Sequence, residues 1–237
     1  GQLQADRIVM NGTELREVRS YVRYENGIVE MDRTGFRQGT DGVVSASLRY
    51  DMETQALSGA MDMENLDVPA LLALVNQKED RIEGRITSHA TLGGTRENPA
   101  GTLTGTITEG KVAGYEVTDV ALDVALSAHV LTIRNLMGRQ EGGSFSASGT
   151  IDFNGAIHVD AEAKDIALGI FTGLAGVDEP VMGAASMTAQ VRGSADRPEA
   201  DLKLTVRSGG MRGASFDEMV GEARVTGSVI DLKYLTV

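Results

Sequence analysis

The sequence predicts an all-β chain with two short helices, arranged as a long antiparallel meander of repeated units of about 99 residues. Three observations carry that expectation. Apolar and polar residues alternate with a period of two over most of the chain. Short glycine-containing turns punctuate the alternation. An ordered set of motifs recurs at a spacing of 98 to 99 residues.

The alternation is explicit in five stretches. Ile86, Ser88, Ala90 and Leu92 share one face and Arg85, Thr87, His89 and Thr91 the other. Val120, Leu122, Val124 and Leu126 oppose Ala121, Asp123, Ala125 and Ser127. Phe145, Ala147, Gly149, Ile151 and Phe153 oppose a row of Ser, Thr and Asp. Ile157, Val159, Ala161 and Ala163 oppose His158, Asp160, Glu162 and Lys164, and Leu202, Leu204 and Val206 oppose Asp201, Lys203 and Thr205. Each is a strand with one apolar and one wetted face. Turns are expected at Asn26-Gly27, Asp41-Gly42, Gly93-Gly94, Glu109-Gly110, Asn154-Gly155 and Ser208-Gly209-Gly210. Together these give about 17 strands, each paired with its neighbours in sequence.

Two segments break the period. Asp67 to about Gln77 carries an Asp N-cap, Pro69 in the first turn and apolar residues at helical spacing. Asp165 to about Leu174 follows the same logic, weakened by Gly169 and Gly173. These helices bring out the repeat. Met63 to Val68 lies 98 residues before Ala161 to Ile166, and Gly94 to Pro99 precedes Gly193 to Pro198 by 99. Gly84 and Gly183 are also 99 apart. The units are expected at 1–99, 100–198 and 199–237, the last being the start of a third.

Composition narrows the function. With 4% aromatics, no Trp and 10 Met, apolar burial rests on Val, Ile, Leu, Ala and Met. No Cys is present, which removes disulfides and thiolate chemistry. A net charge of -12 opposes nucleic acids and anionic membrane surfaces, so no nucleic-acid partner is expected. No run approaches the roughly 18 apolar residues of a membrane span. The pattern begins and stops mid-strand, which reads as a segment of a longer protein.

Reactive groups are sparse. His89, His129 and His158 each lack a second ligand at metal spacing, and read as solvent-facing or rim residues. Asp160, Glu162 and Asp165, with Asp62, Glu64 and Asp67 as their repeat mates, read as a wetted strand face leading into a helix cap. Gly138 to Gly143 lacks the Lys-Ser/Thr ending and the helix of a phosphate loop. Ser45, Ser47 and Ser144 to Ser148 show no nucleophile-elbow pattern. No catalytic set, metal site or cofactor is expected, and the chain reads as a non-enzyme.

One order of motifs is specific enough to suggest kinship: Ser148-Gly149-Thr150-Ile151-Asp152, the Asp165 to Leu174 helix, a strand from Ala185 to Val191, Gly193 to Pro198, then Leu202 to Val206. This resembles the bacterial AsmA-like superfamily, most closely the TamB-type envelope proteins, over essentially the whole chain. The resemblance implies a β-taco, in which the meander curls into a U-shaped trough with an apolar lining. It implies a periplasmic location, tethered to the inner membrane by a segment outside this sequence. It also implies a role in outer-membrane biogenesis and lipid transport, with phospholipid acyl chains in the groove and an outer-membrane barrel of the Omp85 type as partner.

On that reading the groove is lined by Leu48, Leu57, Ile86, Ala90, Leu92, Leu103, Ile107, Val120, Leu122, Val124, Leu126, Phe145, Ala147, Ile151, Ile157, Val159, Ala161, Leu202, Leu204 and Val206. The helices cap or gate it through Leu71, Leu72, Leu74, Val75, Ile166, Ile170 and Phe171. The alternative is a structural or β-augmentation scaffold for outer-membrane or surface proteins, with a self-packed apolar face and no lipid conduction.

Overall fold

The computed structural model describes residues 1–74, 81–174, 181–194, 197–211, 213–227 and 229–237. The first strands are β1 (Gln2–Met10), β2 (Thr13–Glu25), β3 (Ile28–Gln38), β4 (Gly42–Asp51) and β5 (Leu57–Asp67). Helix α1 (Val68–Leu74) and β6 (Ile82–Gly94) follow. Next come β7 (Pro99–Val112), β8 (Tyr115–Ser127), β9 (Val130–Gln140), β10 (Gly143–Asp152) and β11 (Ile157–Ala167). Helix α2 (Leu168–Leu174) precedes β12 (Val181–Ser194), β13 (Arg197–Met211), β14 (Ala214–Thr226) and β15 (Val229–Thr236). The strands form one antiparallel meander sheet, β1 to β15 in sequence order, not closed into a barrel. Neither helix is long and apolar enough to cross a membrane.

The element series recurs: five strands, a seven-residue helix and a sixth strand appear twice, and β13 opens the series again. The same tight turns mark it. Asn11-Gly12 and Ala113-Gly114 both take positive φ pairs, 49° and 85° against 50° and 84°. Such pairs match the twist of the flanking strands.

The strand number is 15 among the described residues, not the 17 expected, because several strands run long: β13 spans 15 residues. Three expected turns, Gly93-Gly94, Glu109-Gly110 and Ser208-Gly209-Gly210, lie within the bounds of β6, β7 and β13. At Gly209 the physical reason is visible: a side chain there would run into the Phe216 ring. The glycine makes room for an aromatic across the strand pair instead of reversing the chain.

By contacts the chain divides into two compact units, residues 1–108 with 122–129, and residues 109–121 with 130–237. In unit 1 the core is Val44, Met63, Leu66 and Ile86, with Phe36, Leu71, Leu103, Ile107 and Leu122 packed against it. In unit 2 it is Ala163, Ile166 and Ile170, with Val112, Tyr115, Phe145 and Phe171.

Each helix is launched by the same device. The register slips between Met63 and Leu66 in β5, and between Ala163 and Ile166 in β11. The extra residue, Asn65 (φ 54°) or Asp165 (φ 50°), sits in the left-handed region. Both are residue types that tolerate it. The bulge turns Leu66 and Ile166 inward. The bulge N–H donates to a hydroxyl on the next strand, Thr87 Oγ1 at 3.2 Å or Ser186 Oγ at 3.0 Å. A buried glutamine then accepts the N–H at the strand–helix junction: Asp67 to Gln38 Oε1 at 2.8 Å, and Ala167 to Gln140 Oε1 at 2.7 Å.

This geometry corrects two expectations. Asp67 is the N-cap of α1, its Oδ1 accepting from the Ala70 N–H at 2.9 Å. Asp165, however, caps nothing: β11 continues to Ala167 and α2 starts at Leu168, so Ile166 is a strand residue. The structural match is also Leu66 with Ile166, 100 residues apart, not the 98 expected, because the two bulges align. Gly84 and Gly183, both at positive φ (144° and 130°), keep their spacing of 99.

Gln140 is 2% exposed, and replacing it with leucine strands the Ala167 N–H without its acceptor. A loss of about 1–3 kcal/mol is expected, while Gln140→Glu, which keeps an acceptor, restores part of it. Urea midpoints of the two variants check this, and equal losses would show that the bond contributes nothing.

Candidate functional site

The apolar face of unit 2 is built from three cross-strand rows, each crossing the seven strands β9 to β15. The first is Leu136–Ala147–Ala161–Ala189–Leu202–Ala223–Leu232. The second is Gly138–Phe145–Ala163–Met187–Leu204–Gly221–Leu235. The third is Ile133–Gly149–Val159–Val191–Ala200–Val225–Ile230. Antiparallel partners directly opposite share a face, so the period-two pattern of each strand merges into one surface. Most of these residues are half-buried.

The expected lining residues of this unit fall together. Phe145, Ala147, Val159, Ala161, Leu202 and Leu204 lie in the rows, and Val206 is fully buried opposite Ala185. Ile151 pairs with Ile157 near the β10–β11 turn. Val120 is buried within contact of the Gly138 position. Ile170 and Phe171 of α2 pack over Ala163 and Ile166.

In unit 1 the corresponding rows are Phe36–Val44–Met63–Ser88, Thr34–Ala46–Met61–Ala90 and Met31–Leu48–Gly59–Leu92. Leu48, Ala90 and Leu92 are therefore neighbours, with Leu57 opposite Tyr50 on the same face and Ile86 opposite Leu66. Leu103, Ile107, Leu122 and Leu71 lean on the core, while Val124, Leu126 and Leu72 are half-buried. Leu74 closes α1, and Val75 lies outside the described residues.

A pocket of about 220 Å³ opens beneath α2. Its floor is Ala147, Ala161 and Ala163, and Ile170, Phe171 and Met187 stand around it. Ser146 and Glu162 border it, yet the surface it presents is wholly apolar. Met187, Val112 and Val117, also in its lining, were not among the residues expected from sequence. Pairing could have exposed Met187, since it sits on the alternating face of β12 between Ala185 and Ala189. The buried Gln38 and Gln140 left no such signal.

The opposite, polar face carries ion pairs and hydrogen bonds. Asp160 meets Arg192 at 2.8 Å, Asp62 meets His89 Nδ1 at 2.6 Å, and Asp165 meets Arg207 at 3.6 Å. In β13–β15 the Arg224 hydrogen bond holds the Asp201 carboxyl below its ordinary pKa, and the Lys233 bond does the same for Glu222. Among the described residues no cluster of three His, Cys, Asp or Glu converges as metal ligands would.

Fold and face define an antiparallel meander repeat whose candidate site is a surface. No family model matches the chain, and no curated protein or solved structure matches it.

Proposed function

We propose that this chain shields phospholipid acyl chains along its apolar face, as a segment of an envelope-spanning lipid-transport and outer-membrane biogenesis protein. The observation that carries the reading is the set of three apolar rows across seven strands in unit 2. A sheet ordinarily buries such a face under a second layer. Here α2, seven residues long, is the only helix described in that unit. Its alanines and glycines leave a low surface on which methylenes are buried for roughly 0.8 kcal/mol each. The resemblance of its motif order to that of TamB-type proteins is what suggests the periplasmic setting, the tether to the inner membrane and the Omp85-type barrel partner. No catalytic step is assigned.

Native mass spectrometry with lipid extraction, on protein purified without detergent, tests this. Bound phospholipid is expected in the parent chain and lost in Val124→Asp and Ile157→Glu variants that keep their circular dichroism and melting midpoint. A lipid-free, monomeric protein that excludes hydrophobic dyes would sink the reading.

A further inference from the structure

We propose that the pocket beneath α2 is a discrete, size-limited site for the end of one uncharged, unbranched alkyl chain. This deepens the reading above and rests on it, but concerns the half-open pocket against α2 and not the rest of the face. The first argument is volume. At about 220 Å³ the pocket exceeds the apolar cavity of roughly 150 Å³ that stays dry and accepts benzene. Scaled from benzene, it holds on the order of eight carbons.

The second argument is chemistry. The pocket offers no polar surface, so a water against its walls finds no hydrogen-bond partner on the protein. A charged headgroup would be desolvated there without compensation. The bordering Ser146 and Glu162 alternate with the floor residues and are exposed on the polar face. Only an aliphatic segment matches such walls.

The third argument comes from inside the chain. Unit 1 has the same bulge, the same glutamine bond and a helix in the same place, yet its lining is different. Where the floor of unit 2 has Ala161 and Ala163, the aligned positions of unit 1 carry Met61 and Met63, packed in and against its core. The alanine floor under α2 is thus particular to unit 2, since the aligned positions of unit 1 carry methionines. Flexible thioethers are well suited to filling gaps of this kind.

The test uses the whole chain, ¹³C-methyl methionine labelling and straight-chain alcohols from 1-butanol to 1-dodecanol. The Met187 methyl is expected to shift saturably with 1-octanol while Met137, exposed on the polar face, does not. Affinity is expected to rise roughly fourfold per methylene up to about eight carbons and then level off. The Ala161→Met/Ala163→Met variant, which copies unit 1, is expected to weaken 1-octanol binding at least tenfold. Should that variant misfold, the chain-length series on the parent protein decides alone. Affinity that climbs without a plateau, and without a Met187 response, overturns the pocket and leaves the open face as the lipid site. No binding at any chain length overturns both.

Discussion

Gly169→Leu is expected to destabilise unit 2 by about 2–3 kcal/mol, although helix propensity alone would make it stabilising by up to about 1 kcal/mol. The sign is the point of the experiment. Gly169 is buried in the first turn of α2, and a side chain at this position would collide with the Tyr115 ring and hydroxyl. One turn later, a Cβ on Gly173 would come within 2.6 Å of the Ala113 Cβ. The two glycines, four apart on the same helix face, let the backbone of α2 settle on the start of β8. Leucine at 169 must push Tyr115 aside or lift the helix, and lifting it strips cover from Ile166 and Ile170. Unit 1 indicates the remedy. Its aligned positions are Pro69 on the helix and Thr13 on the strand, where the small Thr13 hydroxyl donates to the Ala70 carbonyl at 3.3 Å. Adding Tyr115→Thr to Gly169→Leu should therefore recover at least half of the loss. A double-mutant cycle from urea unfolding measures it. Stabilisation by Gly169→Leu alone would mean that α2 does not press on β8.

Leu66→Ala is expected to cost unit 1 about 3 kcal/mol, within the range of roughly 2–5 for a buried leucine. Leu66 is 1% exposed and belongs to the buried core cluster with Val44, Met63 and Ile86. Its inward direction depends on the bulge at Asn65, since strict alternation from Met63 would put Asn65 inside and Leu66 out. Leu57→Ala, at a half-buried position of the same strand, serves as the control and should cost no more than about 1 kcal/mol. Thermal or urea unfolding of the two variants checks the contrast. Equal, small losses would show that Leu66 is not the anchor of that core.

The apolar face could be read from sequence because a strand's two faces are written in alternate residues, so Phe145, Ala147, Val159 and Ala161 declare themselves together. The N-cap at Asp67 was readable for a similar reason, as a short-range bond between one carboxylate and an N–H three residues on. The matching inference at Asp165 failed because the same residue type has a second use. Asp tolerates positive φ, and here it forms the bulge while Gln140, distant in sequence, makes the junction bond.

Local pattern by itself determined the class of the chain: antiparallel strands, tight turns, two short helices, and a recurrence near one hundred residues. These follow from interactions among near neighbours, which leave their period in the residue order. Tertiary structure alone decided which glycines turn the chain and which admit a neighbour, as at Gly209 beneath Phe216 and Gly169 beside Tyr115. It alone placed Gln38 and Gln140 at the helix junctions and opened a pocket over Ala161 and Ala163, whose aligned residues in unit 1, Met61 and Met63, belong to its core or pack against it. Each of those outcomes depends on the volume and polarity of a residue far away in sequence, brought close only when the strands pair.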